Sequence, residues 1–157
     1  MALAAQVLEP TVSQKPYPRR FELPDLSQHG DWLLKRLLAK YKHLTEQQLA
    51  GWLRGIVYNN EFFFQYLPHA VALFQVERGH TLNPQPLIRE HFVWALDSKN
   101  PEHVDEAAEF YASVLKWAKS QNAGIIIVEE NSDVPSEIVK SKCGARVFTR
   151  EQKFVRL

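Results

Sequence analysis

The chain has one cysteine, Cys143, so no intrachain disulfide can form. Such usage fits a reducing compartment. No apolar run approaches the roughly 18 residues of a membrane helix. The first ten residues, MALAAQVLEP, lack the basic leading region of a secretory signal. The expected location is therefore the cytoplasm, with no membrane span. Charge of either sign is not in excess. The net value is +1, which gives no electrostatic footprint for nucleic acid. The six histidines (His29, His43, His69, His80, His91 and His103) are scattered. No pair of them has metal-ligand spacing, and the lone cysteine adds nothing, so no metal site is expected. Internal repeats and low-complexity tracts are also missing.

What is present suits one domain. A chain of 157 residues with 45% hydrophobic and 24% charged residues can bury a sizeable core. Four tryptophans and nine phenylalanines can fill that core or form a contact surface. Residues 1–30 differ from the rest. They hold Pro10, Pro16, Pro18, Pro24 and the pair Arg19-Arg20, with few periodic apolar positions. They read as an N-terminal arm, disordered or ordered by lying on a partner.

Helical spacing of Leu34, Leu37, Leu38 and Tyr41 predicts a helix over 31–42. Thr45 and Gln48 form a capping-box pattern ahead of a second helix, which ends at Asn59-Asn60. Strands are expected at 61–67, 69–77 and 87–96. The clearest helix runs from Asn100 to about Gln121, with Val104, Ala107, Ala108, Tyr111, Val114, Leu115 and Ala118 as its apolar stripe. The run Ile125-Ile126-Ile127-Val128 predicts a strand buried on both faces. A short helix over 135–142 should stop at Gly144, and a hairpin should close the chain. The fold class is α/β (α+β).

The start of the long helix carries chemical information. A strand running into a helix N-terminus is a common phosphate site, because free N–H groups point outward there. Here the sequence is Asn100-Pro101-Glu102-His103-Val104-Asp105-Glu106. Pro101 has no N–H. Glu102, Asp105 and Glu106 suit the helix dipole and repel a bound anion.

From residue 31 to the end, the order of elements resembles the GCN5-related N-acetyltransferase (GNAT) fold. The closest stretch is Ile125 to Val147, IIIVEENSDVPSEIVKSKCGARV. The resemblance implies a mixed central sheet with flanking helices and a C-terminal β-hairpin, and a GNAT-like domain over 31–157. It also implies that the coenzyme A pyrophosphate would lie on a glycine-rich turn, here Ser98 to Asp105, which has no glycine. The family's acid is commonly a tyrosine four residues before the closing glycine; Lys140 stands there instead.

Two readings follow. In the first, the chain is a non-catalytic GNAT-like module, a pseudoenzyme without cofactor. It resembles proteins of tailed bacteriophages and would act as a virion or assembly component. Its arm residues Tyr17, Arg19, Arg20 and Phe21 would contact a protein partner, as would Trp32 and Trp52 unless they pack on the chain's own core. In the second, it is a divergent N-acetyltransferase using acetyl-CoA between the strands at 92–96 and 125–128. Weak catalytic candidates are then Glu129, which shares the strand end with Glu130, and Lys140. Lys99 and Asn131 are the cofactor-binding candidates. Glu77, Glu90 and His91 are expected to be solvated or paired on their strands.

Overall fold

A computed structural model describes residues 16–78, 85–129 and 132–144. Among the described residues five strands form one mixed sheet in sequence order: β1 (Arg19–Arg20), β2 (Phe62–Leu67), β3 (Ala70–Glu77), β4 (Leu87–Ala95) and β5 (Ile125–Ile127). All pairs are antiparallel except β4–β5, which is parallel. Helices α1 (Leu26–Lys40) and α2 (Glu46–Ile56) cover one face. Helices α3 (Pro101–Ser120) and α4 (Ser136–Cys143) cover the other.

Alternation along β3 feeds both cores. Val71 and Leu73 enter the α1/α2 side, and Ala70, Ala72, Phe74 and Val76 enter the α3 side. In β4 the alternation breaks. Ile88 lies on the α3 side, yet so do Val93 and Ala95, while Phe92 and Trp94 face α1 and α2. A change from even to odd positions needs one extra residue. The register supplies it: Leu73 pairs with Phe92 and Phe74 with Glu90, leaving His91 as a β-bulge.

The start and stop signals work as the sequence indicates. Thr45 accepts from the Gln48 N–H at 3.1 Å, and the Gln48 side chain accepts from the Thr45 N–H at 2.9 Å. Gly144 closes α4 at φ +57°, the left-handed conformation that favours glycine.

Two expectations need correction. The first helix begins at Leu26, five residues before the expected start. A single 3-10 turn, Leu23–Asp25, leads into it, with Pro24 where a missing N–H costs nothing. Residues 19–21 belong to the sheet and core: Phe21 is fully buried and stacks on Phe64 at 4.1 Å. Arg19 makes a paired contact with Asp25, at 2.9 and 2.8 Å. Arg20 caps the end of α2 through the Val57 carbonyl at 2.7 Å. Secondly, β5 is not buried on both faces. Ile125 is exposed, and Ile126 and Ile127 are half-buried. The expected C-terminal hairpin lies outside the described residues.

His29 ties α1 to the sheet. Trp32 Nε1–H donates to its Nδ1 at 2.9 Å, so its Nε2 carries the proton and donates to the Leu67 carbonyl at 2.9 Å. Both ring nitrogens are then used by a neutral imidazole. Burial pushes its pKa down, and the Leu67 carbonyl and Asp25 oppose this only in part.

Two predictions follow from this packing. Phe21→Ala should lower unfolding free energy by about 3–5 kcal/mol, whereas Tyr17→Ala should change it by about 0.5 kcal/mol or less. Urea denaturation measures both; equal effects would remove Phe21 from the core. For His29, the unfolded chain takes up a proton near 6.5 and the folded chain only at lower pH. Stability from the neutral ring is therefore complete above about pH 6.5 and is lost as pH falls through the depressed folded value. Melting curves from pH 7.5 to 5 should show a fall that His29→Gln flattens.

Candidate functional site

The bulge at His91 bends β4 away from β5. Pairing between them stops at Arg89–Ile127, two residues before it. Beyond that point the β4–β5 ladder does not continue among the described residues, and a gap opens beside β4. This is the place between residues 92–96 and 125–128 that the sequence assigns to a coenzyme.

The chain itself fills those hydrogen-bonding positions. Lys40 Nζ donates to the His91 carbonyl at 2.7 Å. The Asp133 N–H reaches the Val93 carbonyl at 3.4 Å. Asp133 Oδ2 accepts from the Ala95 N–H at 2.9 Å. Arg36 then clamps the same carboxylate from α1, at 2.7 and 3.0 Å. The Asp133 side chain is only 8% exposed. The Arg36 guanidinium also lies 4.3 Å over the Trp94 ring, a favourable cation–π placement. One turn on, Lys40 sits 3.5 Å from Glu129.

Beneath this gap is a buried polar chain. Tyr111 of α3 donates to Glu90 Oε1 at 2.7 Å and contacts Ser132 Oγ at 2.8 Å. The Ser132 hydroxyl also donates to the Val93 carbonyl at 3.5 Å. Ser132 Oγ in turn lies 3.3 Å from the Val134 N–H. Glu90 is fully buried, contrary to the expectation of a solvated or strand-paired residue. It shares the α3 face with Ile88, two residues before it on β4. Glu77 is paired with Arg89, and His91 Nε2 lies 2.7 Å from Gln75 Oε1. Cys143 packs half-buried against the α3-side core. Burial raises its thiol pKa, and Glu90 raises it further, so the thiol is poorly nucleophilic.

At the start of α3 four backbone donors are occupied. The Asp97 N–H donates to His103 Nδ1 at 3.2 Å, and the Lys99 N–H to Asp97 Oδ1 at 3.0 Å. The Asn100 N–H reaches the Asp97 carbonyl at 3.0 Å, and Asn100 caps the Glu102 N–H at 2.9 Å. Glu106 holds the His69 N–H at 2.6 Å and lies 3.1 Å from its ring. His69 and His103 stack at 4.4 Å.

The named candidates do not converge. Glu129 is turned to Lys40 of α1. Lys140 is exposed on the last turn of α4, and Lys99 is exposed on the turn before α3. Asn131 lies outside the described residues, as does Glu130. Tyr17 is 88% exposed, but Phe21 is core. Trp32 and Trp52 are half-buried against the α1/α2-side core. The residues that meet at the gap are Arg36, Lys40, Glu90, Tyr111, Ser132 and Asp133. Sequence reasoning placed Tyr111 in an apolar stripe and passed over the others except Glu90. The one available signal was the spacing of Arg36 and Lys40, one helical turn apart.

The bulged strand, the parallel β4–β5 pair splayed beyond it and helices on both faces define a GNAT-like fold. Solved structures agree. An Agrobacterium tumefaciens protein provisionally named an acetyltransferase matches with TM-score 0.63 at 14% identity, over 90% of this chain and 100% of that one. Glucosamine-6-phosphate N-acetyltransferase from Arabidopsis thaliana matches with TM-score 0.60 at 14% identity, over 88% and 96%. A Trypanosoma brucei acetyltransferase matches with TM-score 0.57 at 15% identity, over 88% and 98%. No family model matches the sequence, and no curated protein matches it.

The buried chain predicts a specific cost. Tyr111→Phe keeps the ring and removes the proton that Glu90 accepts. It should cost about 1–3 kcal/mol in denaturant titration. No loss would mean that the Tyr111–Glu90 bond contributes nothing to stability.

Proposed function

We propose that the chain is a GNAT-fold module that works by binding protein rather than by transferring an acetyl group. The observation that carries this reading is the occupied edge of β4. A coenzyme arm entering the gap would compete with Lys40 at the His91 carbonyl and with Asp133 at Val93 and Ala95. Displacing Asp133 breaks its pair with Arg36. That costs roughly 3 kcal/mol, the low end for a buried pair, because Arg36 is about one third exposed. Such a cost lowers affinity about a hundredfold. The pyrophosphate end fares no better. Four N–H groups there already have acceptors, and Glu102, Asp105 and Glu106 add negative charge.

Under this reading no cofactor is needed, and the exposed Tyr17 and the residues before it supply partner contacts. Arg19 and Arg20 would take part only by leaving Asp25 and Val57. A role in virion structure or assembly, in the cytoplasm or inside a phage particle, belongs to the same proposal and rests on the sequence resemblance.

A second reading is a divergent acetyl-CoA-dependent N-acetyltransferase. The likeness to acetyltransferase structures and the retained bulge favour it. An apolar cavity of about 350 Å³ beside His91, walled by Tyr41, Leu49 and Trp52, would take the acceptor. Glu129 or Lys140 would then carry protons, with Lys99 and Asn131 on the coenzyme.

Calorimetry with acetyl-CoA separates the two. We expect no saturable heat and no thermal shift at millimolar ligand. Stabilisation approaching 2.7 kcal/mol at about 100 times the dissociation constant, abolished by Lys99→Ala, would overturn the non-catalytic reading.

A further inference from the structure

We infer that the groove between the end of α3 and the outer edge of β2 docks an extended segment of a protein partner, and that the buried Gln65 reads a backbone amide of that segment. This deepens the protein-binding reading and rests on it.

Gln65 is a buried polar side chain that the fold leaves half used. It is 6% exposed. Its Nε2–H donates to the Phe64 carbonyl at 3.3 Å, and its Oε1 accepts from no group among the described residues. A buried acceptor left open is costly, so it points to a donor that arrives from outside. The cavity it lines holds about 460 Å³, within the range of ligand sites. Phe63 and Trp117 form one wall as a stacked pair at 4.8 Å. The Trp117 indole N–H has no acceptor among the described residues. The walls thus offer one open acceptor and one open donor. A peptide group carries one donor, one acceptor and no charge, which answers both.

The sheet edge is open at the same place. β1 covers β2 at Gln65 and Tyr66, and the Phe21 N–H extends that pairing to the Phe64 carbonyl at 2.9 Å. Phe62 and Phe63 have no strand on that side among the described residues. An unpaired edge beside side-chain pockets is the setting in which extended chains are recognised. Charge narrows the partner further. No carboxylate among the described residues lines the cavity, and Arg20 on its rim bonds to neutral acceptors, the Val57 carbonyl and Asn60 Oδ1. A segment carrying Lys or Arg is therefore repelled there.

The free chain and a partner peptide both test this. Without ligand, Gln65→Leu should raise the melting temperature by about 3 °C, because it removes an unanswered buried acceptor. A fall or no change would make Gln65 a satisfied core residue and overturn the assignment. A random dodecapeptide library displayed on phage and panned against the full chain should yield binders poor in Lys and Arg. Their affinity should drop about tenfold for Gln65→Leu and for Trp117→Phe, which keeps an aromatic ring and removes the N–H. In a synthetic binder, an ester in place of one backbone amide should weaken binding by a similar factor at one position. No enriched peptide, equal affinity for wild type and both variants, or tolerance of the ester at every position would each overturn the proposal. If Gln65→Leu does not fold, Gln65→Met carries the same measurements. The coenzyme of the second reading would lie beside β4, on the far side of β3 from this groove. Acetyl-CoA heat with the peptide still bound would sink the non-catalytic reading alone. Absence of peptide binding together with absence of that heat would sink the groove alone.

Discussion

The extra residue at His91 is the constraint on which the site depends. Without it, Val93 and Ala95 would face α1 and α2, and Phe92 and Trp94 would be driven into α3. A one-residue change of register inverts a strand's faces, so the bulge is what lets both cores fill. Its second effect is geometric. β4 bends, β5 cannot follow, and a stretch of backbone loses its strand partner. Buried amides and carbonyls must be satisfied somewhere. In this chain Lys40 and Asp133 satisfy them. The gap is therefore a debt created by the same feature that packs the core.

Electrostatics then decides who fills the gap. Arg36 and Lys40 are four residues apart on α1, so both reach the same side of the sheet. Two cations on one apolar face, over the Trp94 ring, need counter-charge. Asp133 and Glu129 provide it from the segment that follows β5. The start of α3 has the opposite sign, with Glu102, Asp105 and Glu106 in or near its first turn. An anion is thus favoured at the α1 side of β4 and disfavoured at α3. That polarity is the reverse of what a pyrophosphate at α3 would want.

Local signals were legible in the sequence. The capping box at Thr45, the Asn100-Pro101 start and the Gly144 stop each act within four residues, so propensity and hydrogen bonding decide them before packing does. The order of elements followed from those signals and the apolar stripes, and the GNAT-like fold from the resemblance of that order, and of Ile125 to Val147, to the family. Features set by distant partners were not legible. Leu26 begins α1 because Phe21 and Arg19 anchor the preceding turn. Pro24 concealed this, reading as part of an arm rather than as a helix lead-in. The Arg36–Asp133 pair spans 97 positions, and no local pattern announces it. Tyr111 sat correctly in its apolar stripe, yet its hydroxyl mattered through Glu90, a contact between a helix and a strand 21 positions apart.

A fold with this bulge has two ways to complete β4. A bound ligand can supply the missing hydrogen bonds, or the chain can. The first leaves the apo protein with unpaired buried groups and makes its stability ligand-dependent. The second frees the fold from that dependence and closes the cleft to weak ligands. Glycine-rich backbone is needed only for the first, since a glycine turn exists to let a ligand approach N–H groups closely. Here the side chains of Asp97, Asn100 and His103 accept from N–H groups at that turn. The side chains at the α3 turn and Asp133 against β4 supply hydrogen bonds at two ends of the same gap. Each makes sense of the other, and neither requires the helices or the sheet to differ from those of the acetyltransferases the fold resembles.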